Sequence, residues 1–265
     1  MERSTAGAER PLLKVDGLCK SYPSFELDGV SFSVGRGSIV GSARRDAGSV
    51  EAFGRPLDGN EAAVKQITGI VLGGALYYET KRLSAIAAVA RRFYELWDER
   101  AYEDLTRRFS LDGSKRVREL SQGMRVKFAL AMALSHGAKL LVLDEPTSGL
   151  DPLSRDELLD LFLDLVSDGE RGILFSTHIT SDLDKCADSI VHIRGGRIEA
   201  ACPLGEYRAR YRIAAADEAR RAGAEMLGVR RTSRGDTALV PAGAGIGREA
   251  SLEEIMTHLD REETR

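Results

Sequence analysis

The chain has 265 residues, of which 43% are hydrophobic and 30% charged, and its formal net charge is −3 at pH 7. This length and composition suit a globular protein with one large domain, or a main domain with an appendage. The slight acidity excludes the general electrostatic footprint of a nucleic-acid binder, so we expect no nucleic-acid partner. Three widely spaced cysteines, Cys19, Cys186 and Cys202, indicate neither a disulfide framework nor a zinc site, which favours a reducing cytoplasm.

Two further features concern membranes. Residues 1–10 lack the apolar core of a signal peptide, and no stretch approaches the roughly 18 apolar residues of a membrane span. If the protein works at a membrane, we expect it to do so through a partner.

The first part of the chain reads as a small β-rich unit. Strands are predicted at Leu12–Asp16, Val30–Val34 and Ser38–Val40, with a turn at residues 21–24. A helical insert is expected next, with a second helix at Ala101–Phe109. Its first helix is predicted from apolar residues that recur at helical spacing, namely Ile86, Val89, Phe93, Leu96 and Trp97.

The middle of the chain predicts a buried parallel strand. Ser121 is expected to cap an apolar helix, Val126–Leu134, which leads into the run Lys139–Asp144. A near-continuous apolar run that ends in acid suits a parallel strand buried on both faces, with its carboxylate at the C-terminal edge.

Alternation of helix and strand continues beyond this point. A crossover helix is predicted at Leu158–Val166, a strand at Gly172–Ser176, a hairpin at residues 190–198 and a closing helix at Ser251–Leu259. This order favours an α/β fold with a mostly parallel sheet. We expect a main domain over residues 11–202 and a charged, Ala- and Arg-rich accessory segment over 203–265.

Two adjacent carboxylates end the predicted buried strand. The sequence Leu-Val-Leu-Asp-Glu-Pro at residues 141–146 could be no more than a buried strand that ends in Asp-Glu, but it continues in register through residues 147–152. Together these residues resemble the Walker B strand and D-loop of the ATP-binding-cassette (ABC) ATPases. The resemblance implies that Asp144 holds Mg²⁺, that Glu145 is the general base facing the attacking water, and that Asp151 lies at a subunit interface.

A second motif precedes this strand. Leu-Ser-Gln-Gly-Met at residues 120–124 is similar to the ABC signature motif, which places a helix N-terminus against a phosphate. Alone, a serine before a helix is usually only an N-cap. The resemblance implies that Ser121 and Gly123 bind nucleotide, while Gln122 and Met124 depart from the commonest form in a way associated with one branch of exporters.

Two more residues take roles from the same resemblance. A histidine at a strand end is more often structural, but the context Ser-Thr-His at residues 176–178 implies that His178 is the switch histidine that contacts the γ-phosphate. Tyr22 resembles the A-loop aromatic that stacks on adenine, although an isolated turn tyrosine usually only packs. The other histidines, His136, His192 and His258, are expected to be ordinary surface or core residues.

Two family elements are missing from the sequence. No Gly-x-x-x-x-Gly-Lys-Ser/Thr occurs, because the segment that would hold this phosphate loop is reduced to residues 42–47, and Gly73 replaces the Q-loop glutamine. Without backbone N–H groups and a lysine on the phosphates, we expect poor ATP binding by the chain alone, since stacking on Tyr22 contributes only about 1–3 kcal/mol. The helix after the phosphate loop would also be lost, which would uncover one face of the central sheet unless another segment packs there.

The resemblance implies an ATP-binding subunit of an ABC exporter, with ATP and Mg²⁺ as cofactors and an impaired nucleotide site of its own. Its partners would be a separate integral membrane permease, at the inner face of the cell membrane, and a second ABC ATPase subunit, either another copy or a different chain. The alternative is a non-catalytic, degenerate cassette that regulates or binds an intact subunit. An ABC protein of ribosomes or DNA is disfavoured, because those usually carry two cassettes or long coiled-coil inserts.

Overall fold

The computed structural model describes residues 10–22, 25–38, 47–71, 78–233 and 235–259. The expectations placed on residues 42–46 of the shortened phosphate-loop segment, on strand residues 39–40 and on Gly73 lie outside these ranges. The chain divides into two compact units. The first contains the residues up to His178 together with Val191–Glu199, and the second contains Ile179–Ile190 and the residues from Ala200 onward.

The first unit opens with an antiparallel sheet of strand order β2-β1-β3-β4. Its strands are β1 (Leu13–Tyr22), β2 (Phe25–Val34), β3 (Ala47–Ala52) and β4 (Arg55–Pro56). The two predicted N-terminal strands are confirmed, although each is longer than expected. Ser38 lies outside any strand.

A parallel sheet of order β5-β6-β7 forms the centre of the first unit. Helix α1 (Glu61–Gln66) leads into β5 (Thr68–Val71), and the sheet continues with β6 (Leu140–Asp144) and β7 (Gly172–Ser176). The apolar runs at β6 and β7 are buried almost throughout, as the sequence predicted.

Besides α1, the described residues of the first unit form the helices α2 (Leu83–Ala90), α3 (Glu99–Arg108), α4 (Gln122–Ser135) and α5 (Pro152–Val166). The predicted helical stretch reaching Trp97 is wrong beyond Ala90. A non-helical stretch follows Ala90, and Asp98 then begins a new helix, its carboxylate accepting a hydrogen bond from the backbone N–H of Ala101 at 3.0 Å. Phe93 and Leu96 lie in the non-helical stretch and are exposed, and Val89 on α2 is exposed as well, so these apolar side chains form no core stripe.

Both faces of strands β6 and β7 are covered. On one face, Leu140 and Leu174 belong to a core cluster that includes Val15, Val30 and Phe32 of the antiparallel sheet. On the other face, α5 packs against β7, with ring centroids of Phe162 and Phe175 6.0 Å apart. The loss of the helix after the phosphate loop was expected to uncover one face of the central sheet. On β6 and β7 the antiparallel sheet covers this face, although Ile70 on β5 is still 51% exposed.

The second unit contains helices α6 (Thr180–Cys186), α7 (Leu204–Ala209), α8 (Ala216–Ala222) and α9 (Leu252–Leu259). The chain crosses between the units in a two-stranded hairpin, β8 (Ser189–Arg194) and β9 (Arg197–Pro203). A four-stranded antiparallel sheet of order β11-β12-β10-β13 follows. Its strands are β10 (Tyr211–Ala215), β11 (Gly228–Thr232), β12 (Gly235–Pro241) and β13 (Arg248–Glu249).

Alternation along β10 and β12 places two separate cores on the two faces of this sheet. Ile213 and Leu239 belong to a cluster with the apolar face of α9, while Ala214 and Val240 belong to a cluster with α8. The closing helix is confirmed, whereas the sheet was not predicted. Among the described residues, no helix combines the length and apolarity needed to cross a membrane.

Candidate functional site

The two carboxylates of the Walker B-like motif lie at the C-terminal edge of the parallel sheet. Asp144 is the last residue of β6 and is paired directly with Ser176, the last residue of β7. The Ser176 hydroxyl donates a hydrogen bond of 2.5 Å to Oδ1 of Asp144. Because the carboxyl ends of parallel strands meet at one edge, two residues 32 positions apart share this hydrogen bond.

Glu145 follows with an unusual backbone. Its φ of +46° lies in the left-handed region, which costs a non-glycine residue on the order of 1 kcal/mol or more. Its N–H lies 3.1 Å from both the carbonyl oxygen and the hydroxyl oxygen of Ser176. These contacts hold the conformation that turns the Glu145 side chain toward His178.

His178 joins the same group through Glu145. Oε1 of Glu145 accepts hydrogen bonds from the backbone N–H of His178 at 3.1 Å and from its Nδ1 at 2.8 Å. The imidazole is 72% exposed, so it remains accessible from solvent. Oε2 of Glu145 is buried and has no hydrogen-bond partner among the described residues.

The oxygen donors of this group fit a hard divalent cation. Ser176 engages one oxygen of Asp144, which leaves the second as a ligand atom, and the orphaned Oε2 of Glu145 lies on the adjacent residue. The described residues contain no cluster of three or more metal-ligating side chains. Mg²⁺ suits such a site, because it typically takes one or two carboxylates and completes its shell with water and phosphate oxygens.

Ser121 and Gly123 lie at the N-terminus of α4. Ser121 is the N-cap, and its hydroxyl accepts a hydrogen bond from the N–H of Met124 at 3.3 Å. A Cβ placed on Gly123 would lie 3.4 Å from Cδ2 of Leu150 and 3.9 Å from Cβ of Ser154. The start of α4 therefore lies against the D-loop-like segment and the first turn of α5.

Asp151 caps α5. Its Oδ1 accepts hydrogen bonds from the N–H groups of Leu153 and Ser154 at 3.1 and 3.0 Å, and Pro152 occupies the first helical turn. The side-chain hydrogen bond with Ser154, followed by the backbone bonds, lowers the pKa of this carboxyl. Within the chain, Asp151 thus has a capping role.

Tyr22 lies on a different sheet from the carboxylates. It ends β1 of the antiparallel sheet, is 44% exposed, and its ring centroid lies 5.6 Å from Nζ of Lys20. The structure brings Asp144, Glu145 and His178 into one hydrogen-bonded group, whereas Tyr22 is placed on a different sheet.

Sequence reasoning missed the role of Ser176. In the sequence, Ser176 stands out only as a residue flanking His178, although in the structure it contacts both Asp144 and Glu145. A polar residue at the C-terminal end of a buried strand is the one local signal that could have singled it out.

An apolar groove of about 540 Å³ lies elsewhere in the first unit. Its walls come from β5, α2 and the C-terminal half of α4, with Ile70, Val89 and Met132 among the lining residues. Tyr94 and His136 close one part of it, and Lys81 provides a cation in the lining. Several large apolar side chains are therefore accessible around one concave surface.

Comparison with known proteins identifies a matching family model and several similar proteins. A family model described as "AAA domain, putative AbiEii toxin, Type IV TA system" matches residues 77–183. The chain is 31% identical over 221 residues to the daunorubicin resistance ATP-binding protein DrrA3 of Streptomyces coeruleorubidus, covering 74% of this chain and 70% of that protein. It is 28% identical over 216 residues to YdbJ of Bacillus subtilis, an uncharacterized ABC transporter ATP-binding protein, covering 73% of this chain and 70% of YdbJ.

Solved structures give the same result. An ATP-binding subunit of an ABC transporter matches with a TM-score of 0.65 and 27% identity, over 74% of this chain and 92% of that structure. The α/β architecture with its parallel and antiparallel sheets is that of these cassettes.

Proposed function

Because the chain belongs to the family of ABC transporter ATP-binding proteins, we propose that it is the ATP-binding subunit of an exporter and couples ATP binding and hydrolysis to a separate membrane permease. The observation that carries this proposal is the hydrogen-bonded group of Asp144, Glu145 and His178 at the edge of the parallel sheet. A relative named for daunorubicin resistance supports the exporter assignment.

The residues of this group would have distinct roles in ATP hydrolysis at this chain's own site, which we propose to be impaired and to contribute little to turnover of the assembly. Asp144 would hold Mg²⁺, which when bound neutralises charge on the phosphates of ATP. Glu145 would accept a proton from the attacking water, and His178 would orient Glu145 through the two contacts to Oε1 while its exposed ring reaches the γ-phosphate. Tyr22 would stack on adenine.

The nucleotide site built by this chain is proposed to be impaired, because its sequence has no Gly-x-x-x-x-Gly-Lys-Ser/Thr. Ser121 and Gly123 do not depend on that segment. Helix α4 is capped and its N-terminus is positively polarised, so it can face a phosphate held by another subunit. We therefore infer a dimer in which this chain contributes the signature motif to an intact ABC ATPase subunit, with Asp151 near the interface.

The permease is proposed to dock in the apolar groove, which would place this subunit at the inner face of the cell membrane. Ile70, Tyr78 and Val89 line the groove and are more than half exposed, an arrangement that leaves apolar area for a protein partner. We further propose that residues 11–202 form the ATPase domain and residues 203–265 an accessory segment.

The deciding experiment compares two variants of this chain in an assembly reconstituted with the permease and an intact partner subunit. Ser121→Ala should lower ATP turnover by about 100-fold, since it removes a group aimed at the nucleotide. Glu145→Gln should leave turnover within about twofold, because the partner's own general base serves the working site. Circular dichroism checks that both variants are folded.

The opposite result would change the assignment. If Glu145→Gln abolishes turnover and the chain hydrolyses ATP without an intact partner, its own site is functional and a homodimer follows. If neither substitution alters turnover, the chain is the non-catalytic regulatory or binding partner.

A further inference from the structure

We propose that Ser176 is a positioning residue, whose hydroxyl orients the Asp144 carboxylate for a divalent cation and steadies the backbone of Glu145. This inference rests on the proposed Mg²⁺-dependent function. Ser176 touches both residues directly, and it lies on β7, whereas they lie at the end of β6.

The hydrogen-bond geometry allows one arrangement of the hydroxyl. The backbone N–H of Glu145 can only donate, so the Ser176 oxygen accepts from it at 3.1 Å. The single hydroxyl hydrogen is then available for the Asp144 carboxylate, whose Oδ1 lies 2.5 Å away. One hydroxyl thus links two consecutive residues of the site, and its single hydrogen is used in the bond to Asp144.

The position of this hydroxyl is fixed by buried packing. Ser176 follows Leu174 and Phe175, each only 2% exposed, and strand register places it opposite Asp144. A shift of β7 by one residue along β6 would place Phe175 or Thr177 opposite Asp144 and would displace the buried side chains of β7 from the neighbours they pack against. The register of β7 therefore sets the position of the hydroxyl beside Asp144.

Removal of the hydroxyl should affect the site more than the fold. The N–H of Glu145 keeps a second acceptor, the carbonyl oxygen of Ser176 at 3.1 Å, so no buried donor is left unpaired. Asp144, in contrast, loses the donor that holds its Oδ1, and its carboxylate can rotate away from the direction required by the cation. Groups that orient a metal ligand typically contribute about 10–100-fold to metal affinity.

The test uses Mn²⁺ alone as the paramagnetic stand-in for Mg²⁺, titrated into the full chain and followed by electron paramagnetic resonance. The matched pair Ser176→Thr and Ser176→Val differs only in hydroxyl against methyl, and Ser176→Ala supports it. We expect Ser176→Thr to bind within about twofold of the native chain, and Ser176→Val and Ser176→Ala to bind about tenfold more weakly. Asp144→Asn defines the part of the Mn²⁺ signal that belongs to this site. The urea unfolding midpoints of the three Ser176 variants should agree with one another.

Two results would overturn the inference: equal Mn²⁺ affinity of the Thr and Val variants, or native binding that Asp144→Asn does not reduce. Failure of the proposed function is distinguishable, because hydroxyl-dependent Mn²⁺ binding can persist in a chain that has no effect on ATP turnover in the reconstituted assembly.

Discussion

The rings of Tyr94 and His136 lie face to face, with centroids 3.8 Å apart and planes inclined by 6°. Nδ1 of His136 lies 3.0 Å from the carbonyl oxygen of Gln66, which can only accept, so this nitrogen carries the proton. Burial lowers the pKa of His136, although the hydrogen bond to Gln66 opposes that shift. A neutral imidazole at the end of α4 thus packs against the non-helical segment 91–98.

The side chain of Gln66 also bonds to segment 91–98, so we expect Gln66→Ala to destabilise that segment locally. Its Nε2 donates to the carbonyl oxygen of Phe93 at 2.8 Å, and its Oε1 accepts from the N–H of Glu95 at 3.0 Å. Loss of both hydrogen bonds should reduce local stability by about 1–3 kcal/mol. Hydrogen exchange, measured by mass spectrometry on peptides covering 91–98, should accelerate at least tenfold. A tenfold change corresponds to a loss of about 1.4 kcal/mol in the free energy of local opening.

Gln66→Glu is the matched control. It keeps an acceptor for the Glu95 N–H but places an acceptor oxygen where Nε2 donated to the carbonyl oxygen of Phe93, so its exchange should also be faster than that of the native chain. Unchanged exchange in Gln66→Ala would show that the Tyr94–His136 stack alone holds the segment.

Gly69 allows β5 to approach α4 and β6, so we expect Gly69→Ala to destabilise the first unit. A Cβ there would lie 2.5 Å from Cβ of Ala133 and 2.8 Å from Cδ2 of Leu141, both too close for real contacts. Overpacking of this kind costs about 1–3 kcal/mol, measurable as a lower urea midpoint. Gly205→Ala is the control, because helix α7 leaves open space around Gly205 and alanine should be neutral or stabilise by up to about 1 kcal/mol.

Val89→Glu tests the groove as the permease-docking surface. Val89 is 55% exposed, so a charge there should leave the unfolding midpoint within about 0.5 kcal/mol of the native value. Copurification with the permease should nevertheless be lost, because docking would have to remove water from the added carboxylate on an apolar surface. Leu163→Glu, an exposed apolar site on α5, should leave copurification intact; docking that survives Val89→Glu would place the permease elsewhere.

Glu254 should make the second unit sensitive to acid. Hydrogen bonding to Arg248, with Nη2 2.5 Å from Oε1, is the main cause that lowers the pKa of Glu254 from 4.5 to about 2. A depressed pKa means that the charged form stabilises the folded state above about pH 4.5 and that this contribution is lost as pH falls toward 2. Allowing for solvent screening, we expect a loss of about 1–2 kcal/mol over this window.

Glu254→Gln should remove that pH dependence while keeping a side-chain acceptor for the N–H of Ser251, which Glu254 now engages at 3.0 Å in a capping box. Stability of the two chains should be compared by thermal unfolding at pH 2.5 and pH 6. A difference between them that stays constant across this range would refute the assigned cause.

Local signals predicted much of the site. An apolar run ending in acid is buried on both faces wherever it lies in a parallel sheet, so Asp144 and Glu145 could be placed at a strand end from the sequence. N-caps act within three residues, which is why the role of Ser121 in starting a helix could be predicted from its immediate neighbours. The resemblance of residues 141–152 to Walker B and D-loop motifs depends on contiguous residues alone.

The sequence by itself thus determined the cassette family, the parallel strands and the pair of carboxylates with His178 nearby. Tertiary structure alone decided that Ser176 bonds to Asp144, that the antiparallel sheet covers the face of β6 and β7, and that the chain beyond Pro203 forms a second sheet. The physical reason is the distance along the sequence between the residues that interact. Helical caps and buried runs are recorded within a few residues, whereas strand register and packing depend on residues tens of positions apart, whose contacts carry no local signal.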